Sequence, residues 1–216
     1  MTTLRKKPYF WVTWLTPLLA GENSCYWTGW FKGNYEKYDK QERADSNASQ
    51  LAEYEAKHTV LLNSLVDKYS LSSERIFIEN QTKWAMKGTV ANVGGKMDLI
   101  SIGPNLVIDA KGGQPKSSHI IQVQIYLIAI ELGVVPVVGG VAGEFTGLLC
   151  YPDGHEVPVA APSEAFKQRF YSLIKRLATT EPEKVPSEFE CRFCDIKECN
   201  SRYVEAAAEE LEISVF

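Results

Sequence analysis

Asp98 and the run Asp109-Ala110-Lys111 carry side chains whose types and spacing could do chemistry. They lie in Gly95-Lys-Met-Asp98-Leu-Ile-Ser-Ile-Gly-Pro-Asn-Leu-Val-Ile-Asp109-Ala-Lys111-Gly-Gly. Two short apolar runs flank Gly103-Pro104-Asn105, which reads as a β-hairpin turn. A loop centred on Pro104-Asn105 sets Asp98 opposite Lys111, with Asp109 one diagonal step away. Strand alternation then puts all three on one face of the sheet. A one-residue slip would send Asp98 to the other face. Charges are costly to bury unpaired, and a hard divalent cation between the two aspartates would remove that cost. Mg²⁺ or Mn²⁺ held there would polarise a phosphoryl oxygen and acidify a bound water, which is the chemistry of phosphodiester hydrolysis. Lys111 could orient that water or offset charge in the transition state. Asp-x-Lys alone is a weak signal, and a surface salt bridge on a hairpin is its plain alternative.

Other residues extend this set. His58 shares the apolar stripe of a helical pattern with Leu51, Tyr54 and Leu61, where a hydrogen-bonded core histidine is the simpler expectation. Gln122 and Tyr126 are spaced i, i+4 and share a helix face, with His119 on the same stripe. They could be rim residues of a core helix or a polar edge turned toward the site. Five cysteines are present, three of them in Cys191-Arg-Phe-Cys194-Asp-Ile-Lys-Glu-Cys199. That spacing suits metal ligation better than a disulfide framework, and a reducing cytoplasm fits it. Cys25 is the natural fourth ligand, so one centre would clip the N-terminal region to the C-terminal tail. Spacing alone makes structural zinc the default, and an iron–sulfur cluster needs the same four thiolates. Cys150 reads as a core cysteine. Rings and cations cluster after Cys25, from Tyr26 and Trp27 to Tyr38. They could stack single-stranded nucleic acid or simply pack around the cysteines.

The elements that must position these residues follow from periodicity. Ala48 to Tyr69 is an amphipathic helix. Arg75 to Asn80 and Thr82 to Val93 read as strands ahead of the hairpin. Ser117-Ser118 open a helix to about Leu132 that Gly133 ends. Val134 to Val138 and Phe145 to Tyr151 read as strands, and Ser163 to Ala178 as a helix capped by Ser163. Glu181 to Pro186 is a linker, and Arg202 to Leu211 a short acidic helix. The order suggests a mixed sheet with helices on its faces.

The 216 residues suffice for one domain with a real core. A net charge of −4 argues against a generally basic nucleic-acid coat, though not against a local basic groove. Arg5-Lys6-Lys7 and the run Tyr9 to Ala20 have the outline of a signal peptide. Two tryptophans, two threonines and Pro17 interrupt that run, which favours a first strand or helix of the domain. No stretch is apolar enough to span a bilayer; Val134 to Val141 is broken by Pro136, Gly139 and Gly140.

In combination these residues resemble the PD-(D/E)XK nuclease superfamily, and within it the RecB-type, iron–sulfur CRISPR-associated exonucleases. The match runs from about Val12 to Arg202. It comprises Cys25-Tyr-Trp-Thr-Gly-Trp-Phe-Lys, the helical His58, Gly95-Lys-Met-Asp98, Ile108-Asp109-Ala-Lys111, Gln122-Val-Gln-Ile-Tyr126 and the three-cysteine tail. Asp109 stands where many relatives carry Glu, and the last gap of C-x2-C-x4-C is shorter than in many. The resemblance implies a restriction-endonuclease-like α/β fold: a mixed sheet flanked by helices in a single domain over 1–216. Its terminal segments, about 20–40 and 186–202, would be joined through the cysteines. It implies His58, Asp98, Asp109 and the Ala110 carbonyl as ligands of Mg²⁺ or Mn²⁺. Lys111 would act in catalysis, with Gln122 and Tyr126 positioning site and DNA. It also implies a 4Fe-4S cluster on Cys25, Cys191, Cys194 and Cys199, which moves ahead of zinc. The expected activity is a DNA exonuclease trimming single-stranded or free ends in CRISPR adaptation, alongside integrase proteins, or in recombination. The competing expectations are an accessory protein that binds DNA or a partner and cuts little, and a zinc protein whose hairpin charges are structural.

Overall fold

A computed structural model describes residues 2–41, 48–141 and 143–203, and side chains from 52 within the long helix after the first gap. The elements in chain order are β1 (Thr3–Leu4), β2 (Tyr9–Trp11), α1 (Val12–Ala20), α2 (Tyr26–Asn34), β3 (Tyr35–Lys37), α3 (Ala48–Ser70), β4 (Arg75–Ile78), β5 (Lys83–Lys87), β6 (Asn92–Lys96), β7 (Leu99–Ile102), β8 (Leu106–Ala110), α4 (Ser117–Glu131), β9 (Thr146–Cys150), β10 (Glu156–Val159), α5 (Glu164–Thr179) and α6 (Glu188–Phe193). The central sheet has five strands in the order β10-β9-β8-β7-β4. It is mixed: β8 and β9 run parallel through the α4 crossover, and the other pairs are antiparallel. A smaller sheet orders β2-β6-β5, and β1 pairs with β3. The expected mixed α/β architecture with helices on the sheet is therefore present.

Helices cover both faces of the central sheet. Ile100, Ile102 and Val107 join the main core with Ile125, Ile128, Phe170 and Leu177 of α4 and α5. Their strand neighbours Leu99, Ile108 and Ala110 point the other way and pack with Leu62 and Leu65 of α3. Burial on both faces explains why these strands are continuously apolar instead of alternating. The apolar N-terminal run is part of the same core. Phe10, Val12 and Leu15 are buried, and β2 pairs in parallel with β6. That run supplies both a strand and a helix, with Pro17 inside α1. Ser163 caps α5 as expected, accepting a hydrogen bond from the Phe166 amide at 3.2 Å. Among the described residues no helix is long and apolar enough to cross a membrane.

Several elements differ from the sequence expectation. The strand expected over Thr82 to Val93 is two strands, β5 and β6, because the chain reverses between Gly88 and Ala91. Val134 to Val138 is no strand but leads into a 3-10 turn begun by Pro136, whose missing N–H cannot feed a ladder. Elements α2, α6 and β10 are short, and their periodicity is too brief to read. The helix expected over 202–211 falls largely outside the described residues.

Candidate active site

The hairpin β7–β8 decides where the acidic residues stand. Its register pairs Leu99 with Ile108, Ile100 with Val107 and Ser101 with Leu106. Asp98 lies one residue before β7, where the same register would continue to Asp109 and not to Lys111 as the sequence suggested; its carboxylate accepts the Ala110 N–H. The turn closes one residue earlier because Gly103 (φ 107°) and Asn105 (φ 52°) take up the left-handed conformations. Moving the partner by two residues preserves strand parity, and Asp109 and Lys111 both meet Gln122 of α4, whereas the Asp98 carboxylate meets Ala110 and His58 of α3.

Asp109 is almost wholly buried, at 1% exposure. Lys111 Nζ lies 2.7 Å from its Oδ2, and Gln122 Nε2 approaches Oδ1 at 3.3 Å. Gln122 also accepts from Lys111 Nζ at 3.1 Å through Oε1. The Gln122 amide donates to the Tyr126 hydroxyl at 2.6 Å, and that hydroxyl donates to the Lys96 carbonyl at 2.7 Å. Gln122 and Tyr126 are thus buried, at 8% and 2% exposure, not rim residues. They fix the Asp109–Lys111 pair from below and leave its open side at the strand ends. Asp98 Oδ2 accepts the Ala110 N–H at 2.8 Å. From the opposite face, His58 Nε2 reaches the same oxygen at 3.3 Å. One turn further along α3, Leu62 and Leu65 anchor that helix to the sheet. His119 does not join this set; its Nδ1 lies 3.2 Å from the Tyr151 hydroxyl.

Electrostatics mark Asp109 as the group under most stress. Burial pushes its carboxyl up to about 6, with Asp98 adding to the rise and Lys111 opposing it. Burial also works against charge on Lys111, but Asp109 and Asp98 outweigh it and hold the ammonium above its usual value. The hydrogen bond that His58 donates to Asp98 raises the imidazole against the pull of burial. Burial, together with the Asp109 charge, raises Tyr126 well above the ordinary phenol range.

This donor set suits a hard cation. Two carboxylates, one imidazole and the carbonyl of Ala110 offer oxygen and nitrogen ligands of the type Mg²⁺ and Mn²⁺ take. Asp109 Oδ2 is buried, with the Lys111 ammonium 2.7 Å away as its compensating charge; a carboxylate this buried holds its charge only beside a cation. Among the described residues no three His, Cys, Asp or Glu side chains already stand at ligand spacing.

Cys25, Cys191, Cys194 and Cys199 line one cavity, with Lys184 and Arg202 on its wall. All are free thiols. Sulfur receives polar donors here: Thr28 Oγ1 lies 3.6 Å from Cys25 Sγ, and the Tyr203 amide 3.3 Å from Cys191 Sγ. Four thiols, N–H and O–H donors and two cations suit thiolate ligation by donor chemistry. The segments are joined without any bridge. Glu190 accepts from Ser24 N (2.8 Å), Ser24 Oγ (2.7 Å) and Cys25 N (3.1 Å). Arg202 donates to the carbonyls of Cys191, Cys194 and Ile196. Sequence reasoning missed both residues, although a charge beside each end of a cysteine motif is a usable signal. The rings after Cys25 pack on one another: Trp27 and Phe31 are buried, and Phe31 stacks on Tyr35 at 4.6 Å. They form a cluster with Ile196 against which Cys25, Cys194 and Cys199 pack. Cys150 is a buried strand residue, as expected.

Comparison with protein-family models finds no match, and comparison with curated proteins finds none. Among solved structures, the crystal structure of SSO0001 superposes with a TM-score of 0.51, covering 89% of this chain and 85% of that one at 17% identity. This is a likeness of fold. A crystal structure from Eubacterium rectale, named “Putative exonuclease”, has a TM-score of 0.43 and 14% identity, covering 96% of this chain and 94% of that one.

Proposed function

We propose that this chain is a divalent-metal-dependent deoxyribonuclease that hydrolyses phosphodiester bonds at DNA ends. The observation that carries this reading is the single linked cluster His58–Asp98–Asp109–Lys111–Gln122–Tyr126. It draws on α3, the β7–β8 hairpin and α4, and holds a buried carboxylate against an ammonium 2.7 Å away. Asp98, Asp109, His58 and the Ala110 carbonyl would hold Mg²⁺ or Mn²⁺. When bound, the ion supplies Lewis acidity toward a phosphoryl oxygen and a water of lowered pKa. Lys111 presents an ammonium beside the reacting phosphate. Gln122 holds that ammonium and Asp109 in fixed relative positions, so little reorganisation is needed in the transition state. Tyr126 anchors Gln122 to the backbone of β6.

Cys25, Cys191, Cys194 and Cys199 would hold a 4Fe-4S cluster that stabilises the junction of the terminal segments. The resemblance suggests free or single-stranded DNA ends as substrate, in CRISPR adaptation beside integrase proteins or in recombination. End-labelled DNA tests the activity. Cleavage should require Mg²⁺ or Mn²⁺ and stop on chelation. It should fall at least about 100-fold in Asp109→Asn and Lys111→Ala, measured at a temperature where both variants remain folded, since each leaves one member of a buried pair uncompensated. Binding without cleavage would favour an accessory role, and cleavage that survives both substitutions would overturn the site. Anaerobically purified protein should be brown and contain iron and sulfide; colourless protein with stoichiometric zinc overturns the cluster.

A further inference from the structure

We propose that Tyr54 is a substrate-positioning residue whose ring stacks on an unpaired nucleobase beside Asp109 and Lys111, so that the site selects single-stranded DNA or frayed ends. This rests on the nuclease reading and names its substrate class. Tyr54 and His58 are spaced i, i+4 on α3 and share a side of that helix. The helical stripe suggested a core residue, yet the ring is 47% exposed. A Cβ built on Gly112 would sit 2.9 Å from Tyr54 Cε2 and 3.2 Å from Cδ2. One ring edge therefore lies against the backbone immediately after Lys111, where a glycine lets it come close.

Gly113 continues the opening, since a Cβ there would meet nothing within 4 Å. Gly112-Gly113 is thus a stretch without side chains next to the ring, along which a nucleic-acid backbone can approach closely. The other rings around the site are spent. Tyr126 and Trp84 are buried, and the aromatic cluster after Cys25 packs on itself. An aromatic ring beside a phosphate site can stack any base, but only a base whose face is free of its neighbour. A base inside a blunt duplex does not meet that condition.

Wild-type protein, Tyr54→Ala, Tyr54→Phe, Tyr54→Trp and Lys111→Ala are compared on single-stranded and blunt duplex DNA. Tyr54→Ala should raise KM and the Kd for single strands by about 5- to 150-fold, the range expected for one stacked base, with kcat little changed. Phe and Trp should restore binding, and blunt duplex should be indifferent to all three. An abasic residue at one position of the single strand should reproduce the Tyr54→Ala defect in wild-type protein and add nothing to it in the variant. Binding of a 2-aminopurine oligonucleotide without divalent ion should quench its fluorescence in wild type and Lys111→Ala but not in Tyr54→Ala. Equal single-strand KM and Kd in wild type and Tyr54→Ala would overturn the proposal, as would an equal loss on blunt duplex. The two readings fail separately. Cleavage that ignores Tyr54 refutes stacking alone; Tyr54-dependent quenching without any cleavage refutes the nuclease reading alone.

Discussion

Replacing Tyr126 with phenylalanine removes one oxygen from the middle of the site and leaves the ring in place. That oxygen is buried and joins two groups: it accepts from Gln122 Nε2 at 2.6 Å and donates to the Lys96 carbonyl at 2.7 Å. Gln122 keeps a second acceptor in Asp109 Oδ1 at 3.3 Å, so the Lys96 carbonyl bears most of the loss. A buried polar group left without its partner costs about 1–3 kcal/mol. For a chain of this size that corresponds to a melting point lower by about 2–12 °C. The larger effect is on geometry. Gln122 is the only side chain that contacts both Asp109 and Lys111 among the bonds described here, and its anchor is gone. A displacement of about 1 Å can cost on the order of 100-fold in rate, so kcat should fall about 10- to 100-fold with little change in KM. Denaturant unfolding of Tyr126→Phe, Gln122→Ala and the double variant gives the coupling, expected at about 0.5–3 kcal/mol for groups in one network. Additive losses, or a Tyr126→Phe melting point within about 1 °C of wild type, would refute the claim that Tyr126 acts through Gln122.

Two further outcomes follow from the same physics. Burial, with Lys111 and Lys116 nearby, lowers the imidazole of His119 to about 4. Its folded value lies below the unfolded one near 6.5, so its contribution to stability is complete above about 6.5 and is lost as pH falls toward 4. The His119 ring resonances should stay those of the neutral form at pH 5, and His119→Gln should flatten that limb of the stability profile; a midpoint near 6.5 contradicts the burial argument. Glu190→Ala removes the acceptor for three donors of Ser24 and Cys25. It should loosen the junction of the terminal segments by about 1–3 kcal/mol, seen as faster proteolysis near residue 24 and weaker retention of iron, whereas unchanged protection would assign that junction to ring packing alone.

Long periodic elements were legible in the chain. Helices α3, α4 and α5 and strands β7, β8 and β9 follow from apolar spacing, a serine cap and one glycine stop. Short elements were not, because three to nine residues hold too few turns or alternations to separate helix from strand. Pro136 and the reversal at Gly88–Ala91 show local backbone chemistry overriding an apolar run.

The candidate residues themselves were legible, because strand parity and i, i+4 spacing are properties of sequence alone. Asp109 and Lys111 had to share a face, as Gln122 had to share one with Tyr126, while Asp98 would join the first pair only in one hairpin register. Their mutual arrangement was a matter for the tertiary structure. Turn conformation at Gly103 and Asn105 set a register that continues from Asp98 to Asp109 instead of Lys111. Packing of α4 onto the sheet decided between a rim and a site-facing edge for Gln122 and Tyr126, burying both beside Asp109. Packing of α3 on the other face brought His58 to Asp98 and left Tyr54 in the open. These contacts join residues far apart in the chain, and periodicity says which way a side chain points but not what it meets.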